Sequence, residues 1–320
     1  MTILGLGTAP LAGIYAPPDE DGAVALVERA WQLGVRYFDT APLYGYGFGE
    51  RILGQVLSGK PRDEFVLSTK VGRLVRREAE IDPGADIDRG QGSNWPAAGD
   101  VRAVFDYSGD GVRRSIEESL ERLRLDRVDV VYIHDPDDHW GAAINGAYPA
   151  LHRLREEGVV RAIGAGMNQS AMLARFAREG DFDMFMLAGR YTLLDQEAYA
   201  ELLPLCIAKG ISIAIAGAMN SGVLADPKPG SKFNYATAPQ PIVQRATRLR
   251  EVCARHGVSL RAAAAQFPMA HPAAATMAAG VRAMEHLEEY PGLLREPIPA
   301  AMWDDLKSDG LIPDDAPTPS

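Results

Sequence analysis

The sequence predicts one α/β domain folded as a closed (β/α)8 barrel. Short runs of β-branched and apolar residues alternate with amphipathic segments along nearly the whole chain, eight such runs can be placed, and 320 residues is an ordinary length for one barrel. A composition of 47% hydrophobic and 24% charged residues provides for a sizeable core and excludes a largely disordered chain. The competing open, doubly wound sheet needs a glycine-rich phosphate fingerprint in its first strand-to-helix turn. Gly5-Leu6-Gly7-Thr8-Ala9-Pro10 does not reach a third glycine at that spacing.

The elements follow in order. A strand over 3–7 leads to a helix over 21–33, and a strand over 37–40 to a helix over 49–57. The third strand, 65–70, opens a long connection, 71–107, before a helix over 109–123. Strands over 128–134, 162–166 and 184–189 are followed by helices over 148–157, 170–178 and 196–208. The seventh strand, 212–217, precedes a second long connection, 218–240, then a helix over 241–256 and another starting at Ser259. The eighth, 276–280, precedes a helix over 284–290. Loops longer than about 15 residues in a compact domain are commonly lids or binding loops, so those after strands 3 and 7 are expected to shape a pocket. The barrel is placed over 1–312, with the Pro- and Asp-rich 313–320 expected to be a flexible tail.

A formal net charge of −10 disfavours nucleic acid and anionic membranes as partners. Cys206 and Cys253 form neither a metal pattern nor a disulfide framework, which suits a reducing compartment. No stretch gives about 18 uninterrupted apolar residues, and the first residues lack the basic start and apolar run of a secretory leader. The expectation is a cytoplasmic protein, monomeric or a small homo-oligomer, acting on a small molecule.

In such a barrel, polar side chains at the C-terminal ends of the strands converge on one face. Asp39 ends the second strand, Lys70 the third and His134 the fourth, and Tyr44 follows Asp39 in the loop. A buried ammonium needs an anionic partner or loses its charge, and Asp39 is that partner. A phenol against the pair is expected to gain a stabilised phenolate, which would draw the Tyr44 pKa down from about 10 and make it a usable proton donor or acceptor. His134 can hydrogen-bond the same reacting oxygen. Singly, each has a plain structural use: a cap, a rim aromatic, a solvent-facing strand end, a core histidine. Four together at consecutive strand ends point to chemistry, and they suit hydride transfer between a carbinol or carbonyl carbon and nicotinamide.

Other features carry less. His134-Asp135-Pro136-Asp137-Asp138-His139 admits a metal-dependent hydrolase as an alternative of another class. A solvated acidic turn is the preferred reading there, with no metal. A barrel that binds a cofactor and senses it without turnover is a third class. Trp95, Phe105 and Tyr107 either face a substrate ring or pin the long loop to the rim. Lys228 and Lys232 either close over a pyrophosphate or are solvated.

The runs Phe38-Asp39-Thr40-Ala41-Pro42-Leu43-Tyr44-Gly45 and Ser68-Thr69-Lys70, followed by His134, resemble the catalytic tetrad of the aldo-keto reductase family. The resemblance continues in Leu120-Glu121-Arg122-Leu123, Gly158-Val159-Val160-Arg161 and Arg190-Tyr191-Thr192-Leu193, and so covers almost the whole chain. His134-Asp135-Pro136 and the run from Pro297 to Lys307 resemble the bacterial branch that holds L-fucose dehydrogenase, D-threo-aldose 1-dehydrogenase and pyridoxal 4-dehydrogenase.

The resemblance implies that Tyr44 is the general acid or base, that Lys70 and Asp39 tune it, and that His134 orients the substrate oxygen. It implies oxidation of the anomeric C1 of an aldose to a lactone, with pyridoxal oxidation or general carbonyl reduction as rivals. It places Gly7 and Thr8 near nicotinamide, Asn168 at its carboxamide, and Ser221 and Gly222 at the pyrophosphate. The family's usual glutamine and stacking tyrosine fall at Ala188 and near Ala216. The basic residues that grip the 2′-phosphate of NADPH align with Gly280 and His286, leaving Arg282 as the nearby strong cation, so NAD is preferred over NADP. The hairpin that usually plugs the barrel floor is expected to be absent, or the start truncated.

Overall fold

A computed structural model describes residues 1–14, 16–90, 95 and 99–319. Its strands are β1 (Leu4–Gly7), β2 (Tyr37–Asp39), β3 (Val66–Arg77), β4 (Val101–Asp106), β5 (Val130–His134), β6 (Ala162–Met167), β7 (Met184–Ala188), β8 (Ser212–Ala216), β9 (Lys232–Phe233), β10 (Ala236–Thr237) and β11 (Ala274–Gly280). Eight of them pair in parallel around the cycle β1-β2-β3-β5-β6-β7-β8-β11, and β11 returns to β1. This is the closed (β/α)8 barrel that the sequence predicts, with helices packed outside.

The period of two along each strand decides what lies inside. Tyr37, Val130, Tyr132, Met184, Met186, Ala214 and Ala278 meet in one buried cluster that fills the barrel, while their neighbours Phe38, Val131, Ile133 and Phe185 join the larger core under the helices. Stepping two residues on from Tyr37 and from Tyr132 reaches Asp39 and His134, so both point inward at the strands' C-terminal ends. Asp39 pairs in register with Ser68, and Lys70 with Tyr132, so Lys70 is carried to the same end.

The outer helices show the expected local logic. Gly109–Leu123 starts at Ser108, whose Oγ accepts from the Gly111 N–H at 3.0 Å, and buries Val112, Ser115, Ile116, Ser119 and Leu123 along one face. Gly164 lies where β6 and β7 pass closely, and a Cβ there would run into the carbonyl oxygen of Met184.

Three expectations are corrected, and one helix is added. The connection over 71–107 is not one loop: β3 continues to Arg77 and pairs antiparallel with β4, from Gly72↔Asp106 to Arg77↔Val101, as a hairpin rising off the barrel rim. Gly72 opens it at φ +104°, against the Tyr107 ring. Residues 91–94 and 96–98 of this connection lie outside the described residues.

The connection after β8 likewise holds the small β9–β10 ladder. The helix expected over 196–208 is only Leu202–Lys209. Ahead of it, the Thr192 hydroxyl accepts the N–H groups of Leu194 and Asp195, and the Gln196 amide donates to the carbonyls of Thr192 and Leu193, which favours turns over helix. A further helix, Ala300–Ser308, buries Met302, Trp303 and Leu306. Beyond it Ala316 is buried, and the Tyr199 hydroxyl donates to the Asp315 carbonyl at 2.9 Å. Among the described residues no helix is long and apolar enough to cross a membrane.

Candidate active site

Asp39, Lys70, His134 and Tyr44 meet at one cavity of about 810 Å³ at the C-terminal mouth of the barrel. Lys70 Nζ donates to both Asp39 oxygens, at 2.9 and 2.8 Å, and to the Thr40 carbonyl at 2.9 Å. Ser68 Oγ donates to Asp39 Oδ1 at 2.7 Å, so the carboxylate is held by two side chains of the neighbouring strand β3. Burial raises the Asp39 carboxyl above the usual range, and Lys70 works against that rise. Lys70 Nζ stands 4.6 Å from the centre of the Tyr44 ring, and the His134 ring meets Tyr44 edge-on with centroids 5.6 Å apart.

The expected fall in the Tyr44 pKa is not what this geometry produces. Burial holds the phenol well above its ordinary value, the carboxylates of Asp39 and Asp135 add to that, and Arg73 opposes it. Tyr44 is therefore a neutral phenol at rest, suited first to donating a proton. His134 is pushed well below its ordinary value by burial and by the cations Arg73 and Lys70, so it is a neutral imidazole.

Of the residues expected at a cofactor, Gly7, Asn168, Ser221, Gly222, Gly280 and Arg282 all line the cavity. Thr8 does not: it is fully buried, and its hydroxyl bonds Thr40 Oγ1 at 2.9 Å and the Asp39 carbonyl at 3.2 Å behind the wall. Ala188 and Ala216 line the cavity, and their small side chains leave room there.

The cavity fits a dinucleotide. Small residues such as Gly7, Gly166, Gly217 and Gly280 line it, and a Cβ on Gly7 would sit in ordinary contact with Ala278 and Ala279 at 3.8–3.9 Å. The turn of Asn220, Ser221 and Gly222 runs left-handed at φ +44°, +57° and +103°, the kind of strained backbone that clusters at ligand clamps. At the far end stand Arg282, His286 and the pair Arg261–Glu289, 2.7 Å apart.

Trp95 meets both of its readings: it lines the cavity with its ring 5.7 Å from Tyr44, and it packs in a buried cluster with Ala12, Leu43 and Ala103. Phe105 and Tyr107 meet only the second. They stack 6.1 Å apart outside the cavity lining, and Tyr107 donates to the His134 carbonyl at 3.1 Å. Lys228 pairs with Asp226 at 2.6 Å on the surface, and neither it nor Lys232 lines the cavity. The acidic turn divides: Asp138 is exposed, but Asp135 is buried and lines the cavity. Among the described residues no cluster of three or more His, Cys, Asp or Glu could hold a metal ion.

Asp135, Arg190 and Asn234 are cavity residues that sequence reasoning missed. Asp135 had a signal in its place next to the strand-ending His134. Arg190 and Asn234, 3.2 Å apart, come from different loops, and nothing local marks them.

A barrel whose mouth gathers a phenol, an ammonium–carboxylate pair and a neutral imidazole around a dinucleotide-sized cavity defines a class of oxidoreductase. The model of the aldo/keto reductase family matches residues 3–309, and the chain belongs to that family, whose redox partners are nicotinamide cofactors. It is similar to pyridoxal 4-dehydrogenase of Microbacterium luteolum, 42% identical over 98% of this chain and 95% of that one. It is equally similar to D-threo-aldose 1-dehydrogenase of a Pseudomonas species, 42% identical over 97% and 94% of the two chains. The structure of an aldo-keto reductase from Bacillus halodurans in its holo form superposes with a TM-score of 0.74 over 96% of this chain and 91% of that one, at 24% identity, which speaks for the fold alone.

Proposed function

We propose that the protein is a cytoplasmic, NAD-linked dehydrogenase that oxidises the anomeric C1 of an aldopyranose to a lactone. The observation that carries this reading is the grouping of Lys70, His134 and Trp95 around the Tyr44 ring at the cavity mouth, at 4.6, 5.6 and 5.7 Å. An aromatic face beside polar groups suits a sugar ring, apolar on its faces and polar at its edge. The likeness to D-threo-aldose 1-dehydrogenase points the same way. The equal likeness to pyridoxal 4-dehydrogenase supports a second reading, since the ring hemiacetal of pyridoxal offers a similar reacting centre.

Gly7, Asn168, Ser221, Gly222, Gly280 and Arg282 would hold the nicotinamide dinucleotide, which supplies the hydride acceptor when bound. Tyr44 takes the proton of the anomeric hydroxyl as the hydride leaves C1, and the C1–O bond becomes a carbonyl. Aldose and NAD+ thus give lactone, NADH and one proton. The Lys70 ammonium beside the ring stabilises the phenolate that must form first. His134, uncharged, donates its one N–H to the reacting oxygen and fixes its place. NAD is favoured over NADP because a 2′-phosphate at the Arg282 end would meet the Glu289 carboxylate, which already engages Arg261. The working form is a monomer or small homo-oligomer.

The test is a panel of fucose, arabinose, galactose, pyridoxal and simple aldehydes with NAD+, NADP+ and their reduced forms, followed at the reduced-nicotinamide absorbance band. Turnover of aldoses with NAD+ is expected. Turnover of pyridoxal alone would select the second reading, and no turnover with cofactor bound would reject both.

A further inference from the structure

Asp135 directly follows His134, yet the proton transfer above does not use it. It is buried, it lines the cavity, and its Oδ2 lies 3.6 Å from His134 Nε2. Its backbone sits at φ +37°, a left-handed conformation that is costly for a non-glycine residue, and the following Pro136 restricts it further. Three groups hold it there. The Arg73 guanidinium donates to the carbonyls of both His134 and Asp135, and the Tyr107 hydroxyl is shared between the same two oxygens at 3.1 and 3.4 Å. The Asp135 N–H donates to the Gly166 carbonyl at 3.0 Å. Arg73 is itself anchored by Asp88 at 2.7 Å.

A carboxylate in this place does not improve Tyr44 as a base, since its charge opposes the phenolate. What it offers is a strong hydrogen-bond acceptor at a set distance from the reacting centre. The reacting oxygen bonds His134 Nε2, and oxygens on adjacent sugar carbons are about one hydrogen-bond length apart, so a second hydroxyl falls within reach of Asp135.

We propose that Asp135 is a specificity-determining residue: its carboxylate accepts a hydrogen bond from the hydroxyl on the carbon next to the reacting one, C2 of an aldose, and selects 2-hydroxylated sugars over 2-deoxy sugars. This rests on the aldose reading above. A site built to bond a hydroxyl rejects the analogue that lacks it more strongly than an apolar pocket rejects a missing methylene.

The experiment compares wild-type protein and Asp135→Asn on L-fucose and 2-deoxy-L-fucose, or on the best aldose of the panel and its 2-deoxy counterpart. Asparagine tolerates the left-handed backbone, and thermal unfolding with cofactor titration checks that fold and cofactor site survive. Wild type is expected to prefer the 2-hydroxylated sugar by about tenfold or more in kcat/KM. The variant is expected to lose about 10- to 100-fold on that sugar, with only a small change on the 2-deoxy sugar, so that the preference collapses. Equal losses on both sugars, or no loss on either, would overturn the assignment while leaving the aldose reading intact. Wild type that oxidises no aldose would overturn both. Should the variant not fold, wild type turning over both sugars equally well would still refute the role.

Discussion

Lys70 Nζ donates to both carboxylate oxygens of Asp39, at 2.9 and 2.8 Å, and the same nitrogen lies 4.6 Å from the centre of the Tyr44 ring. One buried cation thus does two jobs, neutralising a carboxylate inside the barrel and facing the phenol at its mouth. Lys70→Met would leave the Asp39 charge uncompensated and is expected to cost about 3–5 kcal/mol of stability along with activity. Pairing it with Asp39→Leu is expected to restore most of the stability and none of the turnover. Urea unfolding of both variants checks this, and a double variant as unstable as the single one would count against the pair's electrostatic role.

Tyr44→Phe removes only the phenolic oxygen. Turnover is expected to fall about 10²- to 10⁴-fold, with cofactor affinity by fluorescence titration unchanged. Full turnover in the variant would reject Tyr44 as the proton-transfer group.

The pH dependence follows from two directions of shift. Burial and the carboxylates of Asp39 and Asp135 keep Tyr44 protonated, with Arg73 opposing and the Lys70 ammonium close by. Oxidation needs the phenolate and should speed up as pH rises into the alkaline range, while reduction needs the phenol and should weaken there. His134 is depressed well below 6.5 and stays neutral above that pH, so it adds no step to the profile near neutrality. Profiles of kcat/KM in both directions test the pairing, and an oxidation rate that falls with rising pH would contradict it.

Arg73 joins the rim hairpin to the barrel: it pairs with Asp88 and bonds the backbone after β5. Arg73→Met removes the cation paired with the buried Asp88 and is expected to destabilise by about 3–5 kcal/mol. Asp88→Asn keeps the carbonyl contacts and should cost less in kcat/KM for substrate than Arg73→Met does. Steady-state kinetics of the two variants distinguish these roles, and equal kinetic losses would show that Arg73 acts only through its ion pair.

The barrel was legible because each parallel strand is buried on both faces and reads as a short apolar run between amphipathic helices. Asp39, Lys70 and His134 were legible for the same reason: a charged or polar side chain closing such a run breaks the pattern. The β3–β4 hairpin was less so, because Val71 to Arg76 shows no alternation, its partner strand begins 24 residues after Arg77 in the chain, and only the fold pairs them. The helix expected over 196–208 shortens to Leu202–Lys209 because side-chain bonds from Thr192 and Gln196 compete with helical ones at close range.

The sequence by itself determined the barrel and named the four residues around which proton transfer is read, since both depend on local patterns of period two and on residue type. Tertiary structure decided the protonation of Tyr44, the withdrawal of Thr8 from the cavity wall and the burial of Asp135. Each of these depends on desolvation and on charges or donors brought from distant strands, such as Arg73 beside the carbonyls of His134 and Asp135. Such long-range sums cannot be read from neighbours in sequence.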